Sequence, residues 1–226
     1  MPRKALLAAI VVTCIAHLLT LSVDAVFLHW VLKLAPLVLI WLFAASGSAD
    51  KSPYRSLLLT GLLFCMTGDA FLLLSGSTWF LLGLLAFLTG HILYIAAFLT
   101  RRKRTNRSLL ALVPIVLYGI FMAAELHRGM FKDSDSNSMW MPVLAYLIVI
   151  SVMLLTAVMT GRLGAALGAV CFVVSDSLLA WNKFIGSFTG AGFLIMLTYF
   201  AAQLLIAASV SEDKSPGEHS INSAAL

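Results

Sequence analysis

Charge is what this sequence has least of. Asp, Glu, Lys and Arg make up 11% of its 226 residues against 61% hydrophobic, and the mean hydropathy is +1.00. So few polar side chains cannot cover a soluble domain, so no such domain is expected outside a membrane. Cysteine is scarce too. Cys14, Cys65 and Cys171 each fall inside an apolar run and match neither a metal-ligand spacing nor a disulfide framework. They read as buried structural thiols, and no metal or other cofactor is expected. Proline numbers six. Pro36, Pro114 and Pro142 lie within or near apolar runs, but none is matched between the two halves and no run is broken by paired Gly and Pro. That absence weighs against a carrier built on broken helices.

What is present is a series of apolar runs of about 20 residues, each long enough to cross a hydrocarbon layer of about 30 Å as a helix. They are too long and too evenly apolar for barrel strands, and bare backbone is not tolerated in lipid. The fold class expected is therefore all-α, a polytopic membrane bundle of eight spans: Ala5–Val23, Val26–Ser46, Ser56–Ser75, Thr78–Thr100, Ser108–Glu125, Met139–Thr160, Leu163–Trp181 and Ser187–Val210. Residues 1–210 form one transmembrane domain on this reading. Residues 211–226, "SEDKSPGEHSINSAAL", read as a disordered polar tail.

The net charge of +5 is unevenly spread. With a cytoplasmic N-terminus, that side takes Arg3, Lys4, Lys51, Arg55, the run "RRKRTNR", Arg162 and Lys214, which is 11 of the 15 Lys and Arg. The opposite side takes Arg128, Lys132 and Lys183. The asymmetry places both termini inside, as an even number of spans requires. The basic run reads as an orientation signal facing anionic lipid, and no nucleic-acid partner is expected. The N-terminal stretch as far as Ala25 mimics a secretory signal, but the run is long enough to stay in the bilayer, and retention is the reading taken. The chain is expected in the cell inner membrane of a bacterium or the endoplasmic reticulum of a eukaryote. No motif supports a homo-oligomer.

Ionisable groups inside spans mark candidate sites. Here they are Lys33, Asp69, His91 and Asp176, with Lys183 near an end and Tyr94, Ser175, Asn182, Tyr199 and Gln203 as uncharged companions. His17 and His29, nearer span ends or without polar company, are read as packing or interface residues. Asp69 lies as far after Ser56, where its span begins, as Asp176 lies after Leu163. Both carboxylates then sit roughly 20 Å from the cytoplasmic end, about 10 Å below the outer one, and Lys33 falls at the same level. His91 and Tyr199 form a deeper layer. His91 with Tyr94, and Tyr199 with Gln203, share helix faces. "CMTGDAFLLL" and "CFVVSDSLLAW" also resemble each other at an offset of four spans. A parallel four-plus-four repeat would turn both Asp toward one cleft; an independent origin of the match is equally open.

Each residue also has a plain role open to it. Lys33 can neutralise one Asp in a structural ion pair. His91 can be a satisfied core histidine, the tyrosines can pack, Gln203 can bind two helices together, and Lys183 can reach for the outer interface. Two separate Asp at one depth are harder to explain this way, since a structural pair needs only one.

At these residues the sequence resembles the lysoplasmalogenases, integral membrane hydrolases of the vinyl-ether bond in lysoplasmalogens. The matching pieces are "KLAP", "GDAFLL", "FLTGHILYIAAF", "FVVSDSLLAWNKF" and "YFAAQLLI", in order along nearly the whole chain. Spans one, five and six carry no matching motif and are expected to be scaffold. The resemblance implies eight spans, a lysophospholipid substrate drawn from membrane lipid, and release of a fatty aldehyde plus glycerophosphoethanolamine or -choline. It implies Asp69 and Asp176 as the buried acids, with Lys33, His91–Tyr94 and Tyr199–Gln203 in support.

The chemistry suits two carboxylates. A vinyl ether is cleaved by protonating the carbon beta to oxygen, which gives an oxocarbenium ion that water captures. One carboxyl kept neutral by desolvation can donate the proton, and one kept ionised can steady the cation and hold water. Which Asp faces Lys33, and so which takes each role, the sequence leaves open. The same polar cluster would also serve a small proton-coupled transporter, or act as structural glue.

Overall fold

Local chemistry sets the helix boundaries. Ser52 caps one helix, its hydroxyl accepting from the Arg55 N–H at 3.4 Å, with Pro53 in the first helical position, where its missing N–H costs nothing. Gly190, at φ +81, turns the chain through the left-handed region immediately before the last long helix. The computed structural model describes residues 2–21, 23, 25–47, 52–103, 106–132 and 137–211. Among the described residues there are no strands and eight long helices: α1 Arg3–Leu19, α2 Val26–Ala45, α3 Pro53–Leu72, α4 Ser77–Thr100, α5 Asn106–Met130, α6 Trp140–Met159, α7 Leu163–Phe184 and α8 Ala191–Ala208.

The all-helical expectation holds, with shifts at the ends. Seven helices, α2 to α8, are long and apolar enough to cross a membrane. α1 has 17 residues, or roughly 26 Å at 1.5 Å per residue, and stops at Leu19 where Val23 was expected. α5 continues past Glu125 to Met130, and Arg128 Nη1 meets Glu125 Oε1 at 2.7 Å one turn on. α8 begins at Ala191 rather than Ser187 because Gly190 turns the chain there. The expected polar tail lies outside the described residues except Ser211, which sits in a 3₁₀ turn, Ser209–Ser211.

Six helices close a ring in the order α2, α3, α4, α6, α7, α8 and back to α2. α1 packs outside on α2 and α8, and α5 outside on α6 and α7. Exchanging the halves (α2 for α6, α3 for α7, α4 for α8) leaves the ring order unchanged, and the two tightest neighbours, α3–α4 and α7–α8, change places. Individual positions obey the same exchange. A Cβ on Gly61 would lie 2.6 Å from Tyr94 Cε1 across α3–α4, and one on Gly168 would lie 2.7 Å from Ile206 Cγ1 across α7–α8. Only glycine lets the backbones come this close. Gly168 follows Gly61 at the same interval along the chain as Asp176 follows Asp69.

The basic residues gather at one end. Arg3 donates to the Ser211 hydroxyl, and Arg55 to the Ala45 carbonyl. Arg101 and Arg162 donate to the Ser209 carbonyl at 3.4 and 3.5 Å, where cations suit the carbonyl end of α8. The start of α1 and the end of α8 therefore lie side by side.

Candidate active site

Asp69 sits near the end of α3 with its side chain 4% exposed. A carboxylate there needs a partner. Lys33 of α2 supplies it, Nζ to Oδ1 at 3.0 Å. Oδ2 is buried with no hydrogen-bond partner among the described residues. The Tyr199 hydroxyl of α8 lies beside the same carboxylate.

Asp176 of α7 has a different neighbour. Its Oδ2 accepts a hydrogen bond from the Tyr146 hydroxyl of α6. The arrangement mirrors the first half, since each carboxylate is engaged from the helix before its own. The partner is an ammonium in one case and a neutral phenol in the other. Tyr146 was not singled out from the sequence, and α6, expected to be scaffold, supplies it. The available signal was weak: a tyrosine in an apolar span must find a partner for its hydroxyl, but nothing names that partner.

Both carboxylates line one cavity of about 490 Å³, and every helix of the ring contributes to its wall. Lys33, Tyr146, Tyr199, Ser175 and Asn182 line it as well, among apolar groups such as Leu72, Phe80 and Phe87. Ser175 donates to the Ile195 carbonyl at 3.0 Å, so its hydroxyl fastens α7 to α8. Asn182 Oδ1 accepts from the Phe188 N–H at 3.4 Å and holds the α7–α8 loop against the end of α7. Lys183, expected to reach for the outer interface, is exposed in the last turn of α7 and also lines the cavity, with Nζ 4.3 Å from the Phe80 ring centre, where the ring face attracts an ammonium.

Three expected site residues are not on that wall. Tyr94 donates to Gln203 Oε1 at 2.8 Å, and Gln203 Nε2 donates to the Tyr199 hydroxyl at 3.0 Å. This buried chain fixes Tyr199 from behind and ties α4 to α8. His91 is fully buried, and neither ring nitrogen has a hydrogen-bond partner among the described residues. It packs edge-on to Phe172, ring centres 4.5 Å apart, and against Tyr146 at 5.3 Å. It meets the cavity wall only through rings, those of Tyr146 and Phe87. His17, read as a packing or interface residue, is buried 5.6 Å from the His29 and Phe200 rings. Of the cysteines only Cys65 is fully buried; Cys14 and Cys171 are half-buried.

Seven membrane-length helices, six of them around one cavity lined by two carboxylates and two lysines, define a multi-pass membrane protein with a polar cavity between its helices. Within that class, the chain belongs to the YhhN family, whose model matches residues 28–210. Lysoplasmalogenase TMEM86A of Bos taurus is 30% identical over 216 residues, which cover 91% of this chain and 88% of that protein. The Homo sapiens protein of the same name is 30% identical over 224 residues, 92% of this chain and 88% of its own length. A lysoplasmalogenase of Mycobacterium tuberculosis is 32% identical over 172 residues, 74% of this chain and 65% of that protein. No solved structure matches the chain.

Proposed function

We propose that this protein is a lysoplasmalogenase. It hydrolyses the vinyl-ether bond of an alkenyl-glycerophosphoethanolamine or -choline within the membrane, giving a fatty aldehyde and the glycerophospho-alcohol. The catalytic unit is residues 1–210, eight spans with both termini cytoplasmic, in the inner membrane of a bacterium or the endoplasmic reticulum of a eukaryote. The observation that carries this reading is the unequal pairing of two carboxylates on one cavity: Lys33 compensates an anion at Asp69, while Asp176 has only the neutral Tyr146 hydroxyl. Relatives named lysoplasmalogenase support it.

The roles follow from the partners. Asp176 is the proton donor, with Oδ2 accepting from Tyr146 and the proton carried on Oδ1. It protonates the alkenyl carbon beta to the ether oxygen, and the oxocarbenium ion forms beside the Asp69 carboxylate. Asp69 takes a proton from water as its oxygen adds to the carbon bearing the ether. Collapse of the hemiacetal returns the hydroxyl proton to Asp176 and delivers the Asp69 proton to the departing glycerol oxygen. Both carboxyls end as they began. Lys33 supplies the counter-charge for an Asp69 anion, and Tyr199, held by Gln203, stands where it can orient water.

The test is incubation of purified protein with a lysoplasmalogen and with its ester-linked analogue in deuterated water. Fatty aldehyde should appear only from the vinyl ether, with one deuterium on the carbon next to the carbonyl. Aldehyde without deuterium would remove the protonation step. No aldehyde, combined with substrate flux across liposomes, would favour a carrier.

A further inference from the structure

We infer that the groove between α5, α6 and α7 is the subsite for the substrate's aliphatic chain, entered from the catalytic cavity past a Tyr118–Ser177 latch. This rests on the lysoplasmalogenase reading above. The groove has a volume of about 530 Å³ on the outside of the ring, with walls such as Ile115, Leu154, Val174 and Trp181. Two polar groups meet at that wall: the Tyr118 hydroxyl of α5 and Ser177 Oγ of α7 are 2.6 Å apart, and Ser177 Oγ in turn donates to the Val173 carbonyl of its own helix.

The link to the site is a small void of about 30 Å³. It is lined by Tyr118 and Ser177 on the groove side and by Tyr146 and Asp176 on the other. The latch is thus the partition between the proton donor and the membrane face. The scissile bond of a vinyl ether joins a polar glycerophosphate to a long apolar chain. With that bond at Asp176, the polar part belongs on the side of Lys33, Asn182 and Lys183, and the chain must leave the other way. Ser177 follows Asp176 directly, so the first stretch of chain beyond the double bond meets the latch. From Trp181 to Val170 the groove follows α7 for about three turns, roughly 16 Å at 1.5 Å per residue, ample for an extended chain.

The fold lets this partition open. α5 stands outside the ring and packs on α6 and α7 alone among its main neighbours, so it can shift without breaking the ring. Pro114, one turn before Tyr118, removes a backbone hydrogen bond from α5 and makes it easier to bend there.

The experiment compares long-chain and short-chain lysoplasmalogens on the wild type, Val174→Trp and Val113→Trp. Val174 is 41% exposed in the groove wall; Val113 is a lipid-facing α5 residue outside it. The long-to-short ratio of kcat/KM should fall about tenfold in Val174→Trp, as a filled apolar subsite predicts, and stay at the wild-type value in Val113→Trp. An unchanged ratio in active Val174→Trp overturns the inference. A second measurement needs no variant: a non-hydrolysable single-chain alkyl-ether lysolipid with a terminal diazirine, photolysed on the intact protein. Labelling concentrated on the groove faces of α5 and α7, and competed by lysoplasmalogen, is the expected result. Even labelling of all lipid-facing helices would mean bilayer contact only and would overturn it. Absence of aldehyde from the wild type would instead sink the activity, while the labelling pattern still decides the groove.

Discussion

Asp69 and Asp176 stand at equivalent places in two matching helix pairs, and they line one cavity with different partners. Lys33 reaches Asp69, and Tyr146 reaches Asp176, each from the helix that precedes the carboxylate's own. The halves correspond in helix order and differ in the charge of these partners, and the proposed division of tasks between the two carboxyls rests on that difference.

The Lys33–Asp69 pair carries a stability prediction. Lys33→Met leaves a carboxylate that is 4% exposed without its counter-charge, and losing one member of a buried pair costs about 3–5 kcal/mol. The thermal midpoint in detergent should fall clearly. The double variant Lys33→Met/Asp69→Asn should recover most of that loss while remaining inactive. A single variant as stable as wild type would contradict the pairing.

Tyr146 carries a kinetic one. Tyr146→Phe removes the hydrogen bond that orients Asp176 and keeps the ring packed on His91. Asp176 becomes a carboxylate as it gives up its proton, and at about 1.5–3 kcal/mol for a bond to that developing anion kcat should fall roughly tenfold to a hundredfold, with KM and helix content little changed. Unaltered kcat would mean that Asp176 does not depend on this contact.

Close approach of α3 and α4 sets the position of Asp69. A Cβ on Gly68 would lie 2.6 Å from Phe87 Cδ2 and 3.1 Å from the Gly83 carbonyl oxygen, next to the carboxylate. Gly68→Ala should therefore cost about 1–3 kcal/mol in stability and lower aldehyde release, because the helices must part. Gly186→Ala, with nothing within 4 Å, should do neither. Equal behaviour of the two variants in thermal unfolding would show that the contact has slack.

The helices were legible in the sequence because an apolar run of about 20 residues has few alternatives. Their ends were less so. The turn at Gly190 depends on a backbone conformation, and the extension of α5 past Glu125 on a surface ion pair, and neither enters hydropathy. Depth along a span could be counted, so Lys33, Asp69 and Asp176 fell in one layer. The direction a side chain faces around a helix could not be counted. That is why the partner of Lys33 stayed open and why Tyr146 went unnoticed. His91 and Tyr94 do share a helix face, yet that face turns into the core, and only Tyr94 joins the hydrogen-bonded chain to Tyr199.

The most direct measurement is aldehyde release from a lysoplasmalogen by purified wild type, Asp69→Asn and Asp176→Asn, each shown by circular dichroism and gel filtration to be folded. Two carboxyls acting as acid and base predict a loss of at least about a hundredfold in each variant. Turnover at the wild-type rate by either one would contradict the account.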